Sequence, residues 1–295
     1  MKKTKRVDRF VRSTQPNSVK HPPFSGWSLD DRNPEAIKTW LTQVQWFYKH
    51  YFQAETDGWE NIPETEAALI VGSHNGGLAC PDMMITLYDW FHHFGTERLA
   101  YGLMHPHVWE VYSPLAKIAS QLGAIRAHPR PAISALESGA CVLVYPGGGP
   151  DVFRPYWERD QIKFCGRKGF IKLALRENVS IVPVVSWGAH DTLLVLADIY
   201  EPMKAFLKTF DLPWLFNLDP EVFPIYLGLP WGIAFGPLMN FPLPAKVRVR
   251  VCPPIQFERY GREAAQDSGY VQSCYDRVVK EMQTQLNQLI KEANY

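Results

Sequence analysis

Three short runs, AALIVG (67–72), CVLVY (141–145) and SIVPVVSW (180–187), are dominated by Val, Ile, Leu and Ala and carry no charge. Runs of this length, rich in β-branched residues and closed by Gly, Pro or Trp, read as strands. KVRVRV (246–251) and ERLAYG (97–102) extend the set, and helical patterns fit 82–94, 131–139 and 167–177. Alternation of this kind favours an α/β sheet whose strand C-termini carry the loops that build a site. With 295 residues, no internal repeat and no clean linker, one domain is expected over 33–295.

The ends are marked differently. Residues 1–32 lack periodicity and read as a tail, and half of MKKTKRVDRFVR is cationic. That cluster suits a solvated tail or a membrane-surface contact, where each cation near anionic headgroups adds about 1 kcal/mol. Asn33 and Pro34 then supply a cap and a starting proline. Ile37, Trp40, Leu41, Val44, Phe47, Tyr48, Tyr51 and Phe52 recur every three or four positions, so 33–53 is an amphipathic, aromatic helix. It either packs on the core or lies at a lipid interface. YVQSCYDRVVKEMQTQLNQLIKEA forms a closing amphipathic helix.

Residues 222–245 carry no charge over 24 positions, enough to span a bilayer by count. Five prolines and three glycines break the segment, and a bilayer core could not satisfy the backbone groups they free. Two readings remain: buried loop structure, or a hydrophobic rim or acyl-chain channel. The five cysteines are odd in number and show no C-x-x-C, which favours a reducing compartment over a disulfide framework or a zinc site. No signal peptide is evident, and a net charge of +1 gives no reason to invoke nucleic acid.

Two clusters carry chemistry. In VGSHNGGLACPD (71–82), His74 follows a strand and Asp82 opens a helix, with Gly76 and Gly77 allowing the chain to fold back between them. Histidine suits proton transfer near neutrality, and a carboxylate can orient and stabilise its imidazolium. The same residues also suit a bland role: Asp82 complementing a helix dipole, His74 hydrogen-bonded in a loop. In VLVYPGGGPDVFRP (142–155), a strand runs into Gly147, Gly148 and Gly149, then Asp151 and Arg154. Such a loop offers backbone N–H groups to an anion or an oxyanion, or is simply a tight turn. His190 and Asp191 follow the 180–187 strand as second-tier candidates.

Together with GAIRAHPR (123–130) and IVPVVSWGAHDT (181–192), these blocks resemble the glycerolipid acyltransferase superfamily over roughly residues 60–255. The resemblance implies a mixed, mostly parallel sheet flanked by helices. It also implies transfer of a fatty acyl group from an acyl-CoA or acyl-carrier-protein thioester to a lipid hydroxyl, with no metal and no further cofactor. His74 would be the base, Asp82 its support, and Gly147–Gly149 the oxyanion donors. Gly76, Gly77, Asp151, Arg154 and Arg126 would line the substrate, with Arg130 a further phosphate candidate.

Two departures refine this. The family's H-x-x-x-x-D would place its aspartate at Ala79, three residues before Asp82. YPGGGP stands where the family has F-P-E-G-T-R, with Gly147 for its glutamate and Pro150 for its arginine. YPGG followed by an acid resembles the branch of type-2 diacylglycerol acyltransferases and plant phytyl ester synthases, implying a neutral acceptor such as diacylglycerol, a long-chain or prenyl alcohol or a quinol. A lysophosphatidate acyltransferase remains the alternative, since Arg126, Arg130 and Arg154 could hold a phosphate. A hydrolase is the nearest other enzyme, and a non-catalytic lipid-binding module the rival of another class. Peripheral attachment to the cytoplasmic side of a membrane is the expected location.

Overall fold

Neighbouring residues of the central strands face opposite ways, and both sides are apolar. Leu69 and Val71 belong to one buried cluster, Ala68 and Ile70 to the other. Ile181 and Val185 divide from Val182 and Val184 in the same manner. Burial on both faces is why these runs read as continuous grease rather than as an alternating pattern. The computed structural model describes residues 22–111, 113–214 and 219–293.

In chain order the strands are β1 (Glu55–Asp57), β2 (Ala68–Gly72), β3 (Ala100–Met104), β4 (Ala124–Arg126), β5 (Cys141–Val144), β6 (Ser180–Trp187), β7 (Leu194–Asp198), β8 (Pro224–Gly228), β9 (Gly232–Phe235) and β10 (Arg248–Val251). The helices are α1 (Pro34–Trp46), α2 (Pro81–Phe94), α3 (His107–Val111), α4 (Ser113–Gln121), α5 (Pro129–Glu137), α6 (Gly149–Val152), α7 (Gly169–Glu177), α8 (Tyr200–Thr209), α9 (Arg262–Gln266) and α10 (Ser268–Ala293). The main sheet runs β1-β10-β6-β2-β5-β3-β4. Its pairs are parallel except β10 against β6, so the fold is a mixed, mostly parallel α/β sheet in a single domain. Helices α5, α7 and α10 cover one face; α1 and α2 cover the other.

Asn33 caps α1 by accepting from the Glu35 and Ala36 amides. The aromatic stretch continues as a π-helical turn over Phe47–Tyr51. Ile37 is fully buried and Trp40, Leu41, Phe47 and Tyr48 pack on the core, so this helix is a core element, with Trp46 left outside. The cationic cluster of residues 1–12 lies outside the described residues. Residues 22–32 have no regular secondary structure, yet they pack on the domain: the Gly26 carbonyl accepts from the Arg126 amide and Arg32 donates to the Thr96 carbonyl.

The uncharged segment 222–245 resolves differently from a buried loop. Its first half is the β8–β9 hairpin, which joins β7 in a second, antiparallel sheet. Val222, Tyr226 and Ala234 pack inward, whereas Leu227, Leu229, Trp231, Ile233 and Phe235 are exposed. The outer face of this hairpin is an exposed apolar surface. Among the described residues, no helix is long and apolar enough to cross a membrane.

Candidate active site

Parallel strands β2 and β5 lie side by side, so the loops after their C-termini meet at one end of the sheet. After Gly72 the chain turns through Gly76 (φ +80°) and Gly77 (φ +67°), both in the left-handed region that favours glycine. A Cβ at Gly76 would sit 2.6 Å from Thr192 Oγ1, and one at Gly77 2.6 Å from Asn240 Oδ1. The two glycines therefore serve close packing of this loop against neighbouring segments rather than exposure to a substrate. Cys80 takes the same region at φ 47°, Pro81 starts α2, and Asp82 occupies its first turn.

The fold-back brings His74 Nδ1 to 3.5 Å from Asp82 Oδ1, ion-pair range but outside hydrogen-bond geometry. Asp82 is almost wholly buried and is itself held: Oδ1 accepts from the Met83 amide at 2.8 Å and Oδ2 from Asn75 Nδ2 at 3.2 Å. The imidazole stacks on the Tyr145 ring at 4.4 Å, while its Nε2 lies 3.3 Å from Cys80 Sγ. Burial alone would lower the imidazole's pKa; the Cys80 sulfur and the Asp82 carboxylate outweigh it and raise the pKa well above 6.5.

Behind His74 sits a buried polar frame. Asp151 Oδ2 accepts the His74 amide at 2.6 Å, and Arg154 Nη1 donates to the His74 carbonyl at 2.8 Å. Arg154 also donates to Asp151 Oδ1 and to the Glu158 and Arg159 carbonyls, and Nη2 bonds Asn75 Oδ1. All its N–H groups are engaged and the side chain is 1% exposed. Burial pushes Asp151 up to about 6, against the opposing pull of Arg154 and the His74 amide. His190 Nε2 donates to the Arg154 carbonyl at 2.8 Å; burial and nearby Arg154 lower its pKa to about 3, so the ring is neutral. Asp191 lies 3.7 Å from Arg159 Nε, one layer further out.

These contacts correct several expectations. Asp151 and Arg154 do not reach the cavity wall; they hold the backbone of His74, which does. Arg126 is committed as well, donating to the Ser25 carbonyl and to Glu110 between the rings of Trp27 and Trp109. Arg130 is exposed at the start of α5, away from the cavity wall. Of the three glycines, Gly148 and Gly149 reach the cavity, whereas Gly147 is pressed under the Asp151 side chain, where a Cβ would meet Asp151 Cβ at 2.2 Å.

His74, Cys80 and Tyr145 open onto a cavity of about 1980 Å³, larger than the roughly 300–1,000 Å³ of an ordinary ligand pocket. Its walls are mainly aliphatic and aromatic, with Leu78, Met83, Leu103, Phe153 and Phe235 among them. Cationic side chains enter the lining from another quarter: Arg167, Lys172 and Arg176 around α7, and Arg262 from α9. Sequence reasoning missed these four, and missed Cys80 and Tyr145. The signal for Cys80 was its place in ACPD, directly between the glycine turn and the acid.

The comparisons cover part of this region. A family model described as "Diacylglycerol acyltransferase" matches residues 116–267, just over half the chain. Uncharacterized protein Rv0502 of Mycobacterium tuberculosis and Uncharacterized protein Mb0514 of Mycobacterium bovis are each 28% identical over 247 residues, 84% of this chain. Uncharacterized protein ML2427 of Mycobacterium leprae is 27% identical over the same length. The chain spans 64%, 64% and 63% of these relatives, so it accounts for just under two thirds of their length. Among solved structures, the 1-acyl-sn-glycerophosphate (LPA) acyltransferase PlsC from Thermotoga maritima is similar with a TM-score of 0.43 and 18% identity, covering 84% of this chain and 82% of that one. By the family match over residues 116–267, which takes in the Gly147–Gly149 loop, Asp151 and Arg154 but begins after the His74–Asp82 loop, this chain belongs to the diacylglycerol acyltransferase family.

Proposed function

We propose that the protein is an O-acyltransferase that moves a fatty acyl group from a thioester to the hydroxyl of an uncharged lipid. The observation that carries this reading is the His74–Asp82 pair, opening from a rigid frame into a large apolar cavity. His74 takes the hydroxyl proton and later returns it to the leaving thiolate, while Asp82 stabilises the imidazolium. Amides of the Gly148–Gly149 segment stand available to a developing oxyanion; neither donates to a backbone carbonyl among the described residues.

An uncharged acceptor suits the apolar walls beside His74, where Arg154 and Arg126 are spent within the fold and the lining's cations stand around α7 and α9. Of these cations, Arg167 is paired with Glu221 at 2.6 Å and Arg176 with Glu177 at 3.0 Å. Lys172 and Arg262 have no ion-pair partner among the described residues and suit the phosphate of a phosphopantetheine arm, shared by coenzyme A and by acyl-carrier protein. The exposed face of the β8–β9 hairpin suits shallow insertion into a lipid surface, and five free cysteines fit its cytoplasmic side.

The test incubates the purified full chain with diacylglycerol, phytol, a quinol or lysophosphatidate, each with palmitoyl-CoA and with palmitoyl-carrier protein. Ester formed on uncharged alcohols, cut by about 10²–10⁴ in His74→Ala, is the expected result. Product on lysophosphatidate alone would replace the acceptor class. Free palmitate in place of ester would mark a hydrolase, and a His74→Ala variant at full rate would remove the base.

A further inference from the structure

Gly147, Gly148 and Gly149 are each glycine for a different reason. A Cβ at Gly147 would meet the Asp151 side chain and, at 2.6 Å, the Lys163 carbonyl oxygen. One at Gly149 would press on both methyls of Val222 at 3.2 Å. At Gly148, whose φ is +58°, the space belongs to Arg167: a Cβ there would collide with Nη1 of its guanidinium. We propose that Arg167 is a catalytic residue of the acyl transfer, sharing with the Gly148–Gly149 amides the negative charge that develops on the thioester carbonyl oxygen. This rests on the acyl-transfer reading above and adds a residue to it.

The chain fixes the direction of this side chain from both ends. Phe164 is buried and roots the segment in the core, and Cys165 (φ 52°) and Gly166 (φ 70°) turn the backbone. The Gly166 amide donates to the Tyr275 hydroxyl and the Arg167 amide to the Phe164 carbonyl, both at 3.0 Å. At the far end, Nη2 donates to Glu221 Oε2 at 2.6 Å. Glu221 itself sits at φ 61°, a conformation that few non-glycine residues adopt, and its amide donates to Asp219 Oδ1 at 3.0 Å. Both partners of this ion pair are partly exposed, so it adds little stability; what it supplies is aim.

Nη1 makes no hydrogen bond to a protein group among the described residues, and Arg167 lines the same cavity as Gly148 and His74. Tyr145, whose ring stacks on His74, lies three positions before Gly148, which puts base and guanidinium at one end of that cavity. The other arginines near this loop are spent: Arg154 on the frame, Arg126 on Ser25 and Glu110.

The acceptor oxygen gives its proton to His74 and adds to the thioester carbon, and one C=O electron pair moves onto the carbonyl oxygen. Amides offer that oxygen partial charges; a guanidinium offers a full one, between apolar walls that screen it less than water does. When the pair returns, the C–S bond breaks and the thiolate takes the proton from His74. Arg167 stays protonated throughout.

The experiment measures ester formation with the acceptor and the thioester that serve the wild type best. Arg167→Met, checked for folding by circular dichroism, should lower kcat by about 10² or more while KM for the thioester stays within about threefold. Guanidinium chloride at a non-denaturing concentration should restore part of the rate of Arg167→Ala, and sodium chloride should not. The hexadecyl thioether of the same carrier keeps the donor's phosphates and lacks its carbonyl, so its Kd by titration calorimetry should be the same for wild type and Arg167→Met. If Arg167→Met is unfolded, Arg167→Lys carries the comparison: an ammonium cannot pair with Glu221 and reach Gly148 together, so kcat should still fall about tenfold. A raised KM and a weakened thioether with kcat intact would assign the guanidinium to a phosphate and overturn the proposal. Rescue by sodium chloride as good as rescue by guanidinium would overturn it too, by marking a merely structural role. Full rate in the Arg167 variants with His74→Ala inactive removes the guanidinium and leaves the acyl-transfer reading standing. Full rate in His74→Ala as well misplaces the site itself.

Discussion

Arg154 donates from Nη1 to the main-chain oxygen of His74 at 2.8 Å, although the two residues are 80 apart in sequence. With Asp151 taking the amide of the same residue, His74 is gripped at both ends of its backbone. The His74 loop thus owes its position to charges that lie off the cavity wall.

Arg154→Lys should be strongly destabilising. A lysine cannot reproduce the fork that bonds His74, Asn75 and Asp151, and it leaves the Asp151 carboxylate buried without its planar partner. Breaking a buried pair of this kind costs about 3–5 kcal/mol. Urea unfolding followed by circular dichroism measures it, and a change below about 1 kcal/mol would contradict the frame.

The His74 imidazole should titrate well above 6.5 when followed by NMR of its ring resonances. Asp82→Asn and Cys80→Ala each remove a group that raises its proton affinity, so each should move the midpoint downward. A midpoint unmoved by both would mean that the three side chains do not face one another in solution.

Acid should weaken the fold through His190. Its folded pKa is lowered to about 3, below the ordinary 6.5, so the stability it contributes is complete above pH 6.5. As pH falls from 6.5 towards 3, the unfolded chain takes up a proton that the native ring refuses, at about 1.4 kcal/mol per pH unit. His190→Gln should differ from wild type by an amount that shrinks with falling pH over this window. Unfolding curves at pH 7, 6 and 5 give the slope, and Asp151 cancels in the comparison.

Trp231→Glu and Ile233→Glu together should abolish sedimentation with phosphatidylcholine vesicles. Both side chains are more than half exposed on the hairpin, and Trp231 gives up one hydrogen bond, from Nε1 to the Met239 carbonyl at 2.7 Å, so stability should fall by no more than about 1.5 kcal/mol. Undiminished sedimentation would assign membrane contact to another surface.

Much of this molecule was legible before its coordinates. Strands β2, β5 and β6 announce themselves because they are covered on both sides, and the glycine turn between His74 and Asp82 announces a fold-back. The β8–β9 hairpin was hidden for a related reason. Its inner face meets the apolar interior and its outer face is apolar as well, so a period of two leaves no polar trace. Asp151 and Arg154 were legible as chemistry but not in direction: residue type does not say whether a charge faces a ligand or the back of a loop. Cys80 escaped because a thiol before proline reads as packing. Only the left-handed turn at that residue shows the sulfur returning to the imidazole.

The bonds through Asp151, Arg154 and Asn75 form a closed circuit around one histidine, and they join the ends of β2 and β5 to the segment after α6. A circuit of that kind has no half-open setting. Warming the protein should therefore leave turnover intact up to one sharp temperature and then end it abruptly, together with the fold, instead of letting it fade.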